Sequence, residues 1–390
     1  MKNVLLYYSF GFALGGGDYL PLAFIAALQK ICNLTVAVDV ADNIERSARA
    51  FGFDIDVSNL NVVQVTPPGY DPRKHNAFVS LYRFRRLKRL AKGADLCLST
   101  ASIMDFGKPS YQFINMLAFG DDAFTAHVQN RVRPAREGAL ARAKRFFSGS
   151  ILRPLLGMRS KRSIICDPRE HIYPNSFFVE RRMKEFYGPF NSTVFYPPTL
   201  FETAASSVAR DPLKVVYIGR IIPEKRVDAL VGMVGKARAL TGLDLTFHVA
   251  GRLDQSPSYG RKLRELAKER PWLRFVGEMY GKAKEEFLLS GSYALHAERL
   301  EAFGISVAEY LKSGNIVIVP DEGGSAEIVD SPDLTYHAND DAAQILARLL
   351  DDANFRERQR THCATRAAFF SREAYLARQG ELVARLLEMP

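Results

Sequence analysis

The stretch that decides the fold begins Glu298-Arg-Leu-Glu301-Ala-Phe-Gly304-Ile-Ser-Val-Ala-Glu309 and continues through Ser313-Gly-Asn315 into Ile-Val-Ile-Val319. Beyond Pro320 it reads Gly323-Gly324-Ser-Ala-Glu327-Ile-Val329. Apolar residues recur with helical spacing from Gly304 to Ser313, and a β-branched run follows from Asn315 to Val319. A short strand, Tyr293–His296, precedes the stretch. Strand, loop, helix, strand is the parallel βαβ unit. In it Glu301 stands on the loop after a strand and Gly304 opens the helix. The amides of Phe303, Gly304 and Ile305 then sit at a helix N-terminus, which binds anions through free N–H groups and the helix dipole. Gly304 lets the backbone come close to a ligand. Glu309, just over one turn inside, is placed to accept hydrogen bonds from ribose hydroxyls. Two glutamates with seven residues between them also suit a capped surface helix, so the neighbours must decide.

Working outward, the same architecture recurs. Gly219-Arg220 closes a strand over Leu213–Ile218, and Glu224-Lys225 follows. An Arg and a Lys five residues apart at the C-terminal end of a strand stand where open α/β sheets bind ligands, and both can clamp a diphosphate. Gly251 ends the strand Leu243–Val249, and Leu273–Val276 and Leu334–His337 read as further strands. Val227–Leu240 and Tyr259–Glu269 read as helices, and Ser371 as the N-cap of a last helix, Arg372–Glu388. The first half alternates likewise. Its strands are expected at Asn3–Ser9, Leu34–Val40, Asn61–Pro67, Asp95–Thr100, Ser163–Cys166 and Ser192–Tyr196. Its helices are expected at Leu20–Lys30, Asn43–Phe51, Asn76–Lys92 and Phe178–Tyr187. This predicts an α/β chain of two Rossmann-like domains, residues 1–200 and 213–368. A polar linker, 201–212, joins them, and a C-terminal helix, 369–390, returns to the first.

Taken together, Gly219-Arg220, Glu224-Lys225, Gly251, Val276-Gly277, Glu301 to Glu309 and Gly323-Gly324 with Glu327-Ile-Val resemble the family-four retaining glycosyltransferases of the GT-B fold. Gly15-Gly16-Gly17 resembles that family's glycine-rich acceptor-side loop, and Asn175-Ser176 with Tyr196-Pro197-Pro198 its segment before the linker. The resemblance implies two domains facing across a cleft. It implies a metal-independent, retaining transfer of a hexose from a nucleoside-diphosphate sugar, GDP-mannose or a UDP-sugar, to a glycan or lipid-linked acceptor. No cofactor is implied. Position by position, it implies that Arg220 and Lys225 neutralise the diphosphate and that Glu301 lies beneath the donor sugar. Glu309 would bind the ribose, Gly219 and Gly251 would line the donor site, and the turn from Val276 to Met279 would flank the base. Phe303, Gly304 and Ile305 would hold sugar and phosphate, with Gly16 and Gly17 closing from the other domain. Asp105-Phe-Gly107 and Tyr111-Gln-Phe-Ile-Asn115 are similar to a segment of mannosyltransferases acting on lipid-linked oligosaccharides. A His usually stands there where this chain has Asn115, and His127 is the nearby substitute. Both are therefore candidate acceptor or sugar contacts. Two other readings stay open: a degenerate scaffold that binds sugar nucleotides without transfer, and an epimerase or phosphorylase on the same fold.

Composition narrows the partners. With 53 Lys and Arg against 43 Asp and Glu, the net charge of +10 favours polyanions. No apolar run reaches the ~18 residues of a membrane-spanning helix. The N-terminus reads as a strand rather than a leader, and the protein is expected to be cytoplasmic. Cys32, Cys97, Cys166 and Cys363 form no CxxC pair, which argues against a zinc site or disulfides. Asp54-Ile-Asp56 matches a metal-binding DxD pattern but lacks its context, so no metal is expected. Arg83, Arg85, Arg86, Lys88 and Arg89 crowd one helix among apolar residues. Arg142, Lys144, Arg145, Arg153, Arg159 and Lys161 do so farther on. Such interleaving suits peripheral contact with an anionic membrane, or a solvated helix face. No nucleic-acid-binding motif is present.

Overall fold

A computed structural model describes the chain except residues 10, 13–14, 42, 72–76, 116, 118–121, 129–155, 200–207, 255 and 389–390. It divides into two compact units, Met1–Pro198 with Leu376–Pro390, and Thr199–Tyr375.

In the first unit six strands form one parallel sheet: β1 (Asn3–Tyr8), β2 (Asn33–Val38), β3 (Asn61–Gln64), β4 (Leu96–Ser99), β5 (Tyr111–Ile114) and β6 (His171–Pro174). Their order is β3-β2-β1-β4-β5-β6. The β1 side chains are buried on both faces, which is why Val4 to Tyr8 reads as an unbroken apolar run. Helices α1 (Tyr19–Leu28), α2 (Ile44–Ala50), α3 (Ala77–Lys92), α4 (Asp122–Val128), α5 (Lys161–Ile165) and α6 (Phe177–Tyr187) complete it. Leu382, Val383 and Leu386 of the C-terminal segment pack into the cluster that holds Phe24, Phe113 and Tyr173.

Two expectations for this unit need correction. Ser163–Cys166 is not a strand but lies in and just after α5, because the Ser160 hydroxyl accepts from Ser163 N at 3.0 Å and caps a helix start. The fifth and sixth strands are instead Tyr111–Ile114 and His171–Pro174, where none was expected. Ser192–Tyr196 is no regular strand. It runs extended beside β6 through one bridge at Ser192 and the Thr193 and Phe195 amides, and Pro197-Pro198 ends it.

The second unit repeats the plan: β7 (Lys214–Ile218), β8 (Thr246–Ala250), β9 (Leu273–Gly277), β10 (Tyr293–Leu295), β11 (Ile316–Pro320) and β12 (Thr335–Tyr336), ordered β12-β11-β10-β7-β8-β9 and parallel throughout. Its helices are α7 (Val227–Thr241), α8 (Pro257–Lys268), α9 (Gly281–Leu289), α10 (Ile305–Lys312), α11 (Gly324–Val329), α12 (Asn339–Asp351), α13 (Ala353–Phe369) and the start of α14 (Arg372–Glu388). The Ser371 hydroxyl accepts from Ala374 N at 3.2 Å and caps α14. Numbered from its own first strand, each sheet reads 3-2-1-4-5-6, the doubly wound order that binds ligands at the strand C-termini where the winding reverses. That point lies between β1 and β4 in the first unit and between β7 and β10 in the second.

Candidate active site

At the switch point of the second unit, the segments leaving β7 and β10 supply the charged groups. After β7 the buried Ile221 anchors the chain, and Pro223 starts a single 3-10 turn, Pro223–Lys225, that ends in Lys225. After β10 the chain is pinned by backbone contacts. His296 N donates to Ile318 O at 3.0 Å, and Tyr336 Oη donates to the His296 carbonyl at 2.8 Å. Gly324 N donates to the Glu301 carbonyl at 2.8 Å. A Cβ on Gly324 would lie 2.4 Å from the Ala302 carbonyl, so the paired glycines exist to let the Glu301 loop rest directly on α11.

Between these segments Lys225 Nζ donates to Glu301 Oε2 and lies 2.6 Å from Glu298 Oε2. His296 Nε2 lies 3.5 Å from Glu301 Oε2. The His296 side chain is 1% exposed, and neither ring nitrogen has a hydrogen-bond partner among the described residues. Burial, then the neighbouring Glu301 charge, push the Glu298 carboxyl above its ordinary range. Burial would raise Glu301 too, but Lys225 and His296 outweigh it and hold that carboxyl low. Burial would lower the Lys225 ammonium, yet Glu301 and Glu298 leave it raised. His296, Glu298 and Glu301 each bring one ligand-type atom within 4.8 Å of the others. The cation beside the two carboxylates is the Lys225 ammonium.

Glu309 lies on α10, buried, with Oε1 at 2.5 Å from Lys284 Nζ of α9. The helix is seated over the end of β7 by Tyr310, whose hydroxyl accepts from Ile218 N at 2.8 Å and donates to Ile218 O at 3.1 Å. Gly304 caps α10 in a left-handed conformation with φ 106°. The amides of Val307 and Ala308 return to the Gly304 carbonyl. Those of Ile305 and Ser306 precede any intrahelical acceptor, so they are the ones available to an anion. Phe303 is buried against Phe370, ring centres 5.9 Å apart, and so anchors the loop.

The remaining second-unit residues fall around this edge. Arg220 is exposed just beyond β7. Gly219 N donates to Ala250 O at 3.1 Å, and Gly251 N to Gly277 O at 2.8 Å, so the ends of β7, β8 and β9 stay hydrogen-bonded across the register shift between Val249 and Ala250. Val276 and Met279 are half-buried at the end of β9, the edge strand. The fold therefore brings Arg220, Lys225, Glu301, Phe303, Gly304, Ile305 and Glu309 to one end of one sheet.

In the first unit Gly16 and Gly17 are exposed on a turn after β1. The Tyr8 hydroxyl donates to Asp18 Oδ1 at 2.8 Å just beyond them. Asn115, at the end of β5, spends its amide on the Thr100 carbonyl at 2.5 Å, and its own carbonyl accepts from Asn175 Nδ2 at 3.0 Å. His127 on α4 faces α6, 4.0 Å from Glu185 and against Phe186. The structure thus gives both residues local partners. Asp54 pairs with Lys30 at 2.7 Å and Asp56 caps Ser58, so these two aspartates serve local structure. All four cysteines are free, three of them buried.

The basic helix is less available than its sequence suggests. Arg83 is turned inward, 2.8 Å from the buried Asp39, with the Tyr7 hydroxyl also donating to Asp39. Lys88 donates to Gly157 O and lies over Phe84. Arg85 and Arg89 are the exposed members. Farther on, Arg159 is committed to Asp167 and Glu170, each at 2.8 Å. Arg142, Lys144, Arg145 and Arg153 lie outside the described residues. No helix among the described residues is long and apolar enough to cross a membrane.

Three site residues escaped the sequence reading: Glu298, His296 and Lys284. Glu298 carried a weak signal, an acid three residues before Glu301 in a loop leaving an apolar strand. Lys284 carried none, because its partner is 25 positions away.

Part of the chain matches a described family, and its fold matches solved structures. Residues 201–366 match the family described as Glycosyl transferases group 1. A GDP-mannose-dependent alpha-mannosyltransferase of Mycobacterium tuberculosis is 32% identical over 115 residues, covering 30% of this chain and 27% of that protein. The phosphatidylinositol N-acetylglucosaminyltransferase GPI3 subunit of Saccharomyces cerevisiae is 23% identical over 159 residues, 41% of this chain and 34% of that one. The matched part thus spans about a third or less of these relatives. Among solved structures, Anabaena Alr3699/HepE in complex with UDP and glucose covers 99% of both chains with a TM-score of 0.68 at 14% identity. A glycosyltransferase from Rickettsia africae covers 100% of this chain and 99% of its own with a TM-score of 0.69 at 12% identity. At such identities the likeness is one of fold, and it runs the length of the chain. The family match is confined to residues 201–366, which make up most of the second unit.

Proposed function

We propose that the chain is a glycosyltransferase that moves a hexose from a nucleoside-diphosphate sugar to a hydroxyl of a glycan or lipid-linked acceptor, with retention. The observation that carries this reading is the convergence of Lys225, Glu301 and the N-terminus of α10 at the switch point of the second sheet. Arg220 and Glu309 stand at the same strand ends. Breaking the glycosidic bond to a diphosphate develops negative charge on the leaving phosphate. Preset positive groups stabilise that charge more than they stabilise the ground state. Arg220, Lys225 and the Ile305 and Ser306 amides are such groups. Glu301, kept ionised by Lys225, is suited to accept from sugar hydroxyls, and Glu309 from the ribose. The leaving phosphate takes the acceptor's proton on the same face of the sugar, which accounts for retention without a protein nucleophile. GDP-mannose and UDP-sugars are the donors to test first, since the mycobacterial relative is named for the former and the Anabaena protein holds UDP. Arg85 and Arg89 offer an exposed basic strip to an anionic membrane, where a lipid-linked acceptor would reside. Flotation with anionic vesicles at low salt tests that part, and protein remaining in the soluble fraction overturns it.

The first test is thermal stabilisation of wild type and Glu309→Ala by UDP, GDP, ADP and CMP and their sugars. One nucleotide at ~100 times its dissociation constant should stabilise wild type by about 2.7 kcal/mol, and the variant less. No stabilisation of wild type by any of them overturns the reading.

A further inference from the structure

Lys225 has one charge and, in this structure, two carboxylates. Its ammonium bonds Glu301 and lies 2.6 Å from Glu298, and all three side chains are largely buried, at 16%, 18% and 21% exposure. The proposed function asks the same ammonium to neutralise a diphosphate. Glu301 has a second use in that reading, on the sugar. Glu298 has none: beyond Lys225 its surroundings are Glu301, His296 and, from β7, the Tyr217 ring, and Oε2 is sealed from solvent. A buried carboxylate whose ion-pair partner is also the diphosphate's cation must compete for it.

We propose that Glu298 is a positioning residue that competes with the diphosphate for Lys225, recapturing the ammonium and so speeding release of the nucleoside diphosphate product. This rests on the nucleotide-sugar reading of the site. While donor is bound, Lys225 serves the phosphates and Glu298 stands without its partner, which raises the energy of the bound state. Once the sugar has left, the return of Lys225 to Glu298 and Glu301 offsets part of what the departing diphosphate gives up. Arg220, which has no comparable carboxylate within reach among the described residues, stays with the phosphates throughout.

Calorimetric titration of UDP and of GDP into wild type and Glu298→Gln tests it. The variant is expected to bind the nucleoside diphosphate about tenfold more tightly, as removing a competing close charge does, with slower dissociation in stopped flow. In turnover, KM and kcat should fall together. Damage to the site weakens binding, so a gain in affinity is a readout that a merely structural role does not produce. Equal or weaker binding by the variant, with wild type binding normally, overturns the proposal and leaves the nucleotide-sugar reading standing. Binding of neither nucleotide by wild type overturns both. Should Glu298→Gln not fold, Glu298→Ser carries the same expectation, and failure of both to fold marks Glu298 as structural and ends the proposal.

Discussion

At the switch point of the second sheet a lysine and two carboxylates meet out of water, and a second lysine covers Glu309. At that of the first sheet the corresponding groups are hydrogen-bonded and largely self-contained: Tyr8 with Asp18, Asn115 with the Thr100 carbonyl, Tyr7 and Arg83 with Asp39. The two sheets have the same strand order. Winding order therefore fixes where a ligand goes, and the side chains set there decide what can happen to it. A charged cluster suits a leaving diphosphate. Charged groups already spent on internal partners, beside exposed glycines, suit a neutral, hydroxyl-rich partner.

The change that should break this contrast most is Lys225→Ala. It removes the ammonium and leaves Glu298 and Glu301 facing each other. Transfer should fall by about 10³ in kcat, roughly 4 kcal/mol, in line with loss of a preset charge at a leaving group. Initial rates with the donor found in the binding panel check this, and a loss below tenfold would move the catalytic charge to Arg220 and the helix end.

Next is Gly251→Ala. Gly251 has φ 151°, and a Cβ there would lie 2.2 Å from the Gly219 carbonyl. Backbone would have to move at the ends of two strands, at a cost of about 3 kcal/mol. Chemical denaturation followed by hydrogen exchange should show the loss in the second unit alone. An unchanged midpoint would mean that the strand ends are looser than their hydrogen bonds indicate.

The third acts on the first unit. Arg83→Met strips the buried Asp39 of its cation. Burial, offset in part by Arg83 and Tyr7, already raises the Asp39 carboxyl. Without Arg83 it rises further, so Asp39 can take a proton instead of staying charged. That escape limits the loss to about 2 kcal/mol near neutral pH, below the usual cost of breaking a buried pair. The loss should shrink as pH falls, and Asp39→Asn with Arg83→Met should recover part of it. A pH-independent loss would show that the Arg83 stem, not its charge, supports the fold.

How much of this was legible in advance follows the same division. The second sheet and the first four strands of the first were readable because parallel strands buried on two faces leave unbroken runs such as Leu5-Leu6-Tyr7 and Ile316-Val317-Ile318, whereas Tyr111–Ile114 and His171–Pro174 were not expected as strands. Ser163–Cys166 misled because Ser-Ile-Ile-Cys has strand-like composition, while the deciding residue, Ser160, lies outside the run. Glu301, Glu309, Arg220 and Lys225 were readable because they sit at strand ends and helix starts, where position in the motif is nearly position in space. Glu298 and Lys284 were not, because their meaning lies in contacts 73 and 25 residues away along the chain. The inward turn of Arg83 was hidden likewise: its partner Asp39 ends another strand, so helix periodicity alone left it among the surface cations.

The smallest effect compares one histidine in each sheet. His248 of β8 lies in register between Val216 and Arg274, and burial first, then Lys214 and Arg274, hold its pKa down to about 4. His171 of β6 is lowered too, by burial and then by Arg385. A histidine whose folded pKa lies below its unfolded value of about 6.5 binds its proton more readily when the chain is open. Above that value both states are neutral and His248 has no effect. As pH falls from 6.5 to about 4 the unfolded state gains a proton that the folded state refuses, and stability drops. Below about 4 both states are charged and the slope ends. His248→Gln should flatten this window in the denaturation midpoint of the second unit, and His171→Gln should do so for the first. If the slope survives both changes, it belongs to carboxylates. The Lys225 cluster would then be the place to look, since its Glu298 carboxyl, pushed up by burial and then by Glu301, takes a proton before Glu301 does, and with it goes part of the pairing on which the contrast between the two sheets rests.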